Sequence, residues 1–233
     1  MLCSARRLPA LFLALAAGAP AVAADRARPT VVELFQSQGC SSCPPANANV
    51  MAVADRPEVL ALSFQVTYWD QLGWKDTFAH PAFTGRQWDY ARAWKRPQVA
   101  TPQVVVNGRR DLIGYNRGEL EGALRSADRG AGGPTVSVAG GRATVSAAPG
   151  PGARADVWLV RYDPRTVAVP IRRGENGGKT LPHRNVVREL VRLGAWEGRA
   201  RAYDLPAPGD PALRTAVLVQ AGPGGPILGA GRG

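Results

Sequence analysis

The chain is 233 residues long, sets 29 Lys+Arg against 18 Asp+Glu for a formal charge of +11, and is 45% hydrophobic. That is long and apolar enough to bury a core without disulfide staples, which excludes a disordered chain and a small cystine-framed scaffold. The basic residues are almost all arginines scattered singly among Gly, Ala and Pro, the mark of a GC-rich coding bias rather than of a phosphate-binding face, so nucleic acid is not an expected partner, whereas weak attraction to anionic surfaces is.

The first elements read as a secretory leader. Arg6 and Arg7 precede an apolar run from Leu8 to Ala17, and small residues end in Ala21-Val22-Ala23. Gly18 and Pro20 interrupt the run well short of the ~20 apolar residues that a spanning helix needs. Residues 1–24 are therefore expected to be a signal peptide cleaved near Ala23 or Ala24, leaving a periplasmic or secreted protein with no transmembrane segment in the mature chain. Cys3 would depart with the leader, the charge would fall from +11 to +9 with Arg6 and Arg7, and Cys40 and Cys43 would remain as the only cysteines.

Val31 to Leu34 reads as a short buried strand, Ala46 to Asp55 as a helix of small and apolar residues, and Val59 to Phe64 as a second strand. Gly73 to Lys95 is rich in aromatics, and its latter half, Pro81 to Trp94, has helical spacing. Gln103 to Val106 and Asp111 to Ile113 flank Asn107-Gly108, a strong hairpin signal. Asn116 is placed to cap a helix from Arg117 to Ala127. Strand, helix, strand, helix, hairpin, helix gives a mixed sheet with helices on both faces over residues 29–130. A glycine-rich break at Gly130 to Pro134 follows. Beyond it Thr135–Val138, Ala143–Ser146, Asp156–Tyr162, Val167–Ile171, Arg199–Tyr203 and Thr215–Gln220 alternate between turn residues, while Asn185 to Leu193 fits helix or strand equally. Residues 134–233 are expected to form a separate antiparallel β-rich domain.

Four stretches resemble the thioredoxin superfamily, and most closely the exported bacterial proteins grouped as the domain of unknown function 1223 family. They are Val32 to Ala46 with its Gly39-Cys40-Ser41-Ser42-Cys43-Pro44-Pro45, Tyr68-Trp69-Asp70 to Asp76, Thr101-Pro102 to Gly108, and Arg173 to Gly178. The resemblance implies an α/β thioredoxin-like domain and an exported thiol–disulfide oxidoreductase with no cofactor beyond a redox-active Cys40–Cys43 disulfide, acting on protein or peptide thiols and disulfides. In that scheme Cys40, favoured as thiolate by a helix N-terminus, attacks, and Cys43 resolves the mixed disulfide. A cis-proline loop at Thr101-Pro102 faces the dithiol and presents backbone to an extended peptide. Glu33 matches the position of a buried acid that takes the resolving cysteine's proton, after allowing an insertion at Gln36 to Gly39; a solvated strand glutamate is the other reading. Pro44 and Pro45 require either that the helix begin at Cys43 or that its first turn be distorted.

Other readings stand beside this one. Cys40, Cys43, His80 and His183 are too dispersed for a convincing tetrahedral zinc site, whereas two thiolates alone can hold Cu(I). Arg173-Gly174-Glu175-Asn176-Gly177-Gly178-Lys179-Thr180 fails as a phosphate loop, since three residues separate Gly174 from Gly178 where four are required. It reads instead as a glycine-rich loop leaning on the dithiol face, with Arg173 and Glu175 a solvated pair. The aromatic cluster of Tyr68, Trp69, Trp74, Phe78, Phe83, Trp88, Tyr90 and Trp94 is either core or an exposed groove for peptides. The alternatives to an oxidoreductase are a non-enzymatic exported interaction protein and a Cu(I)-binding dithiol protein. Sulfurs buried beneath the C-terminal half would favour the interaction protein.

Overall fold

The computed structural model describes residues 28–127, 132–148 and 154–233. The leader expected at 1–24, Cys3 and Gly130 lie outside the described residues. β1 (Thr30–Gln36) and β2 (Val59–Gln65) are buried along their whole length, as apolar runs without polar alternation require. α1 (Cys43–Val53) joins them, and they pair in parallel from Thr30 opposite Val59 to Gln36 opposite Gln65. α2 (Pro81–Ala93) follows, its first turn capped by His80, whose Nδ1 accepts the Ala82 N–H. β3 (Gln103–Val106) and β4 (Arg110–Leu112) form the hairpin, and α3 (Arg117–Arg125) starts at the cap Asn116.

The hairpin turn also ties the sheet together. Asn107 and Gly108 have φ of 49° and 62°, the paired positive values that an Asn-Gly turn supplies. Asn107 Oδ1 accepts the Val31 N–H at 2.8 Å, and its carbonyl accepts the Ile227 N–H at 2.9 Å. A Cβ on Gly108 would stand 2.5 Å from the Gly225 carbonyl oxygen. Gly108→Ala is therefore expected to cost about 1–3 kcal/mol, from a left-handed backbone and a forced shift of the 221–226 turn. An unchanged urea midpoint would show that the turn yields freely.

The C-terminal half contributes β5 (Val136–Ala139), β6 (Arg142–Val145), β7 (Ala155–Asp163), β8 (Val167–Pro170), β9 (Thr180–His183), β10 (Val186–Trp196), β11 (Arg201–Asp204), β12 (Arg214–Gln220) and β13 (Ile227–Arg232). Here the structure departs from the expected separate β-rich sheet. β7, β10, β12 and β13 extend the first sheet into eight strands, ordered β13-β12-β7-β10-β2-β1-β3-β4. The junction is Val186 of β10 lying parallel to Ser63 of β2, secured by Asn185, whose carbonyl accepts the Ser63 N–H and whose side chain donates to Ala61 O. Left unpaired, β2 would present buried backbone donors and acceptors with nothing to satisfy them. The ambiguous 185–193 segment is thus a strand, and the segments 29–130 and 134–233 share one sheet and one core.

That core makes the join tangible. Val31, Phe35, Phe64, Phe83 and Tyr90 pack with Val160, Tyr162, Leu218 and Ile227 on the α2 face. Val32, Leu34, Val50, Val104 and Leu120 pack on the opposite face, beneath α1 and α3. β11, β6 and β5 form a small second sheet over Val157, Leu159, Val217 and Val219, while β8 and β9 form a separate hairpin. The result is a mixed α/β fold built on one large, mostly antiparallel sheet. No helix among the described residues is long and apolar enough to cross a membrane.

Candidate functional site

β1 ends at Gln36, and the chain turns through residues 37–42 before α1 begins at Cys43. The turn is internally bonded, with Cys40 N–H to Ser37 O, Cys43 N–H to Cys40 O, and Gly39 N–H to Ser37 Oγ. Cys40 and Cys43 form a disulfide with Cα atoms 5.4 Å apart. The helix does begin at Cys43, with Pro44 and Pro45 in its first turn where a missing N–H breaks no helical bond. Ser42 occupies the cap position without capping, and its hydroxyl lies 3.3 Å from Cys40 Sγ instead.

Two segments from elsewhere cover this turn. From the 70s loop, Asp76 accepts the Gln38 N–H at 2.7 Å and the Phe78 N–H at 2.8 Å, while Trp74 Nε1 donates to Gln38 Oε1 at 2.9 Å. Burial pushes the Asp76 carboxyl up to about 6, with the neighbouring Asp70 adding to the rise and the backbone donors opposing it. From the loop 172–178 that closes the β8–β9 hairpin, Asn176 donates to Gln38 O and Cys40 O, both at 2.9 Å. Glu175 accepts from Ser41 N at 3.1 Å and Ser41 Oγ at 2.6 Å, contacts that hold its carboxyl below the usual range. Glu175 is therefore bound to the dithiol turn rather than paired with Arg173. Both cysteines are closed off, at 0% and 1% exposure.

The other expected site residues divide. The Thr101–Pro102 bond is cis, and β3 runs antiparallel to β1 with Gln103 opposite Phe35, so Pro102 falls at the sheet end from which the chain leaves for Cys40. Thr101 Oγ1 accepts the Trp69 indole N–H at 2.7 Å, and Trp69 packs at Gly39. Glu33 is not at the dithiol. It is fully buried, but alternation along β1 sends it to the α2 face with Val31 and Phe35, where it accepts from Arg86 Nε at 2.5 Å and from the Tyr90 hydroxyl. The buried acid beside the dithiol turn is Asp76. Of the aromatic cluster, Phe83 and Tyr90 are core, Tyr68, Trp69 and Trp94 pack partly buried against it, and Trp74 and Phe78 roof the site against Val169, Ile171 and Leu181.

A cavity of about 390 Å³ opens on the far side of the dithiol, between α1 and β9. Cys43, Met51, Leu181 and His183 are in its wall, and Asn47 Nδ2 donates to Pro182 O at 2.7 Å to hold the two elements together. His183 is 2% exposed with neither ring nitrogen hydrogen-bonded, and burial pushes it down to about 4, so it is neutral at ordinary pH. Phe78 meets its ring edge-on at 5.8 Å.

A family model described as a protein of unknown function, DUF1223, matches residues 31–220. A crystal structure of an Agrobacterium tumefaciens protein, solved as a structural-genomics target, is 31% identical with a TM-score of 0.72, covering 91% of this chain and 95% of its own. HBP35 of Porphyromonas gingivalis superposes with a TM-score of 0.56 at 13% identity over 88% of this chain and 74% of its own, a likeness of fold alone. No curated protein matches the sequence.

Proposed function

The chain belongs to the DUF1223 family of proteins of unknown function, and from that premise we propose that it is an exported thiol–disulfide exchange protein whose N-terminal half is thioredoxin-like. The observation that carries the reading is the Cys40–Cys43 disulfide at the head of α1, at the end of a parallel β1–β2 pair where Thr101-Pro102 also lies. A dithiol in that position exchanges by attack of a thiolate on one sulfur and departure of the other, with no cofactor. Protein or peptide thiols reach Cys40 once the loop 172–178 moves aside. That loop is held over the turn by the four hydrogen bonds of Glu175 and Asn176, of which the two buried Asn176 bonds are worth about 0.5–1.5 kcal/mol each.

The same cover favours a second reading, in which the disulfide is a static bridge in an interaction protein. Equilibration in glutathione buffers, read by thiol trapping with Cys40→Ser as control, separates the two. Exchange predicts a reversible potential within about −120 to −270 mV. The value should sit toward the reducing end, because Pro44 and Pro45 lack two of the N–H groups that would stabilise a Cys40 thiolate and so favour the reduced form. A disulfide that resists reduction below about −300 mV would give the static bridge.

A further inference from the structure

We propose that the cavity between α1 and β9 is the entry of a second kind of substrate, a small uncharged thiol that reacts at Cys43 while the loop 172–178 stays closed, with His183 relaying its proton. The inference rests on the exchange reading and adds to it the substrate class and the sulfur attacked. Its ground is an asymmetry in access. Cys43 is in the cavity wall and Cys40 is not, while Cys40 lies beneath Asn176 and the Glu175–Ser41 contact. The cysteine that a small molecule meets is therefore the one expected to act second.

The chemistry of the wall narrows the substrate. About 390 Å³ is at the small end of ligand pockets, and the Asn47–Pro182 hydrogen bond braces the two walls against the widening that a peptide strand would require. Pro44, Ala48, Met51, Leu181 and Pro182 make it apolar, and among the described residues no Lys or Arg is in the wall. A thiolate entering such a site would be desolvated without a counter-charge, so the thiol enters protonated. It then needs a proton acceptor inside, and the polar side chains in the wall differ in what they can offer. Gln36 is bonded to Asn47 and Ser63, and Asn47 to Pro182, whereas both nitrogens of His183 are unpartnered. Burial keeps the imidazole neutral, so an unpartnered ring nitrogen is open to the entering S–H and can take its proton in passing.

The step balances as follows. The thiol proton moves to His183 as its sulfur bonds to Cys43 Sγ, the Cys40–Cys43 bond breaks, and the electron pair leaves on Cys40 Sγ, where the Ser42 hydroxyl at 3.3 Å can donate to it. The proton ends on Cys40. A second thiol attacks the substrate sulfur of the mixed disulfide and releases Cys43, so two thiols become one disulfide and the protein becomes the dithiol.

The test uses the mature protein with dibenzyl disulfide, benzyl mercaptan and glutathione as probes. Cys40→Ser, which leaves Cys43, should form the benzyl adduct about tenfold faster than Cys43→Ser, and Ala48→Phe, an exposed position at the cavity rim, should slow that adduct about tenfold. On the unaltered protein, benzyl mercaptan should reduce the disulfide faster than the larger, charged glutathione. His183→Gln should slow benzyl mercaptan but spare glutathione, whose charge keeps it from the cavity and sends it to Cys40 by way of the loop 172–178, a split that mere structural damage would not produce. Faster modification of Cys40, indifference to Ala48→Phe, or no preference for the neutral thiol overturns the proposal even where glutathione buffers give a reversible potential. Absence of any reversible potential overturns the exchange reading itself.

Discussion

Arg86→Met is expected to lower unfolding stability by about 3–5 kcal/mol, the cost of removing one partner from a buried ion pair. Glu33 is 0% and Arg86 5% exposed, and among the described residues the carboxylate accepts from the Arg86 Nε and the Tyr90 hydroxyl. Burial works against the Arg86 charge, but the Glu33 carboxylate more than offsets it and holds the guanidinium above its ordinary value. Burial and the same carboxylate keep Tyr90 protonated well above 10. The cluster spans the chain: Glu33 comes from β1, Arg86 and Tyr90 from α2, and Gln220 of β12 accepts from Arg86 Nη1 at 2.9 Å and donates to Tyr90 at 3.1 Å. Arg86 also lies within 6 Å of the Phe64, Tyr90 and Trp158 rings, which methionine can still pack against. Most of the loss is thus the charge stranded on Glu33. Glu33→Gln combined with Arg86→Met should recover a large part of it, with urea midpoints as the measurement. The reduction potential of the dithiol should not move in Glu33→Gln, since the side chain is on the other face of the sheet. A shifted potential would return Glu33 to the redox centre.

Why Glu33 is misread from sequence alone is instructive. Every residue of β1 is buried, so the strand shows no polar alternation to say which side chains face α1 and which face α2. Only the packing of Val50 and Ala46 on Val32 and Leu34 settles the parity. Features set by near neighbours are legible: the Asn107-Gly108 turn, the Asn116 cap, the α1 crossover and the Cys-x-x-Cys at its head. Features set by distant partners are not. The Arg173–Gly178 loop is legible as glycine-rich and as leaning on the dithiol face, yet its grip on Ser41 and Cys40 spans 134 and 136 residues of sequence. β13 is missed because Gly229 and Gly231 look like loop. They are required where added Cβ atoms would come within 2.4 Å of the Pro134 and 2.3 Å of the Val136 carbonyl oxygens. Asp76 carries no local signal beyond its place among the aromatics, and its burial is created by the dithiol turn that it holds.

Asp76 and His183 are expected to give the protein two opposed pH dependences that conceal one another. Asp76 rises from 3.8 to about 6 on folding, so its contribution is fully present below 3.8 and is lost as pH rises through 6. About two units correspond to about 3 kcal/mol. His183 falls from 6.5 to about 4, so its contribution is fully present above 6.5 and is lost as pH falls through 4, by a similar amount. Between about pH 4 and 6 the folded state holds the Asp76 proton that the unfolded chain has released, and lacks the His183 proton that the unfolded chain has bound. The two slopes cancel there. Asp76→Asn unmasks His183, and its stability relative to the unaltered protein should climb by about 3 kcal/mol from pH 4 to pH 7, whatever constant offset the lost hydrogen bonds of Gln38 and Phe78 impose. His183→Gln unmasks Asp76, and its stability on the same scale should fall by about 3 kcal/mol over that range. Urea unfolding at pH 4, 5, 6 and 7 reads both, because the remaining ionisable groups contribute the same background to all three proteins. Diverging curves for the variants on either side of a flatter parent require an acid and a base buried on the two flanks of the dithiol. Three parallel curves would mean that neither group is desolvated and that the walls around Cys40 and Cys43 are open to water.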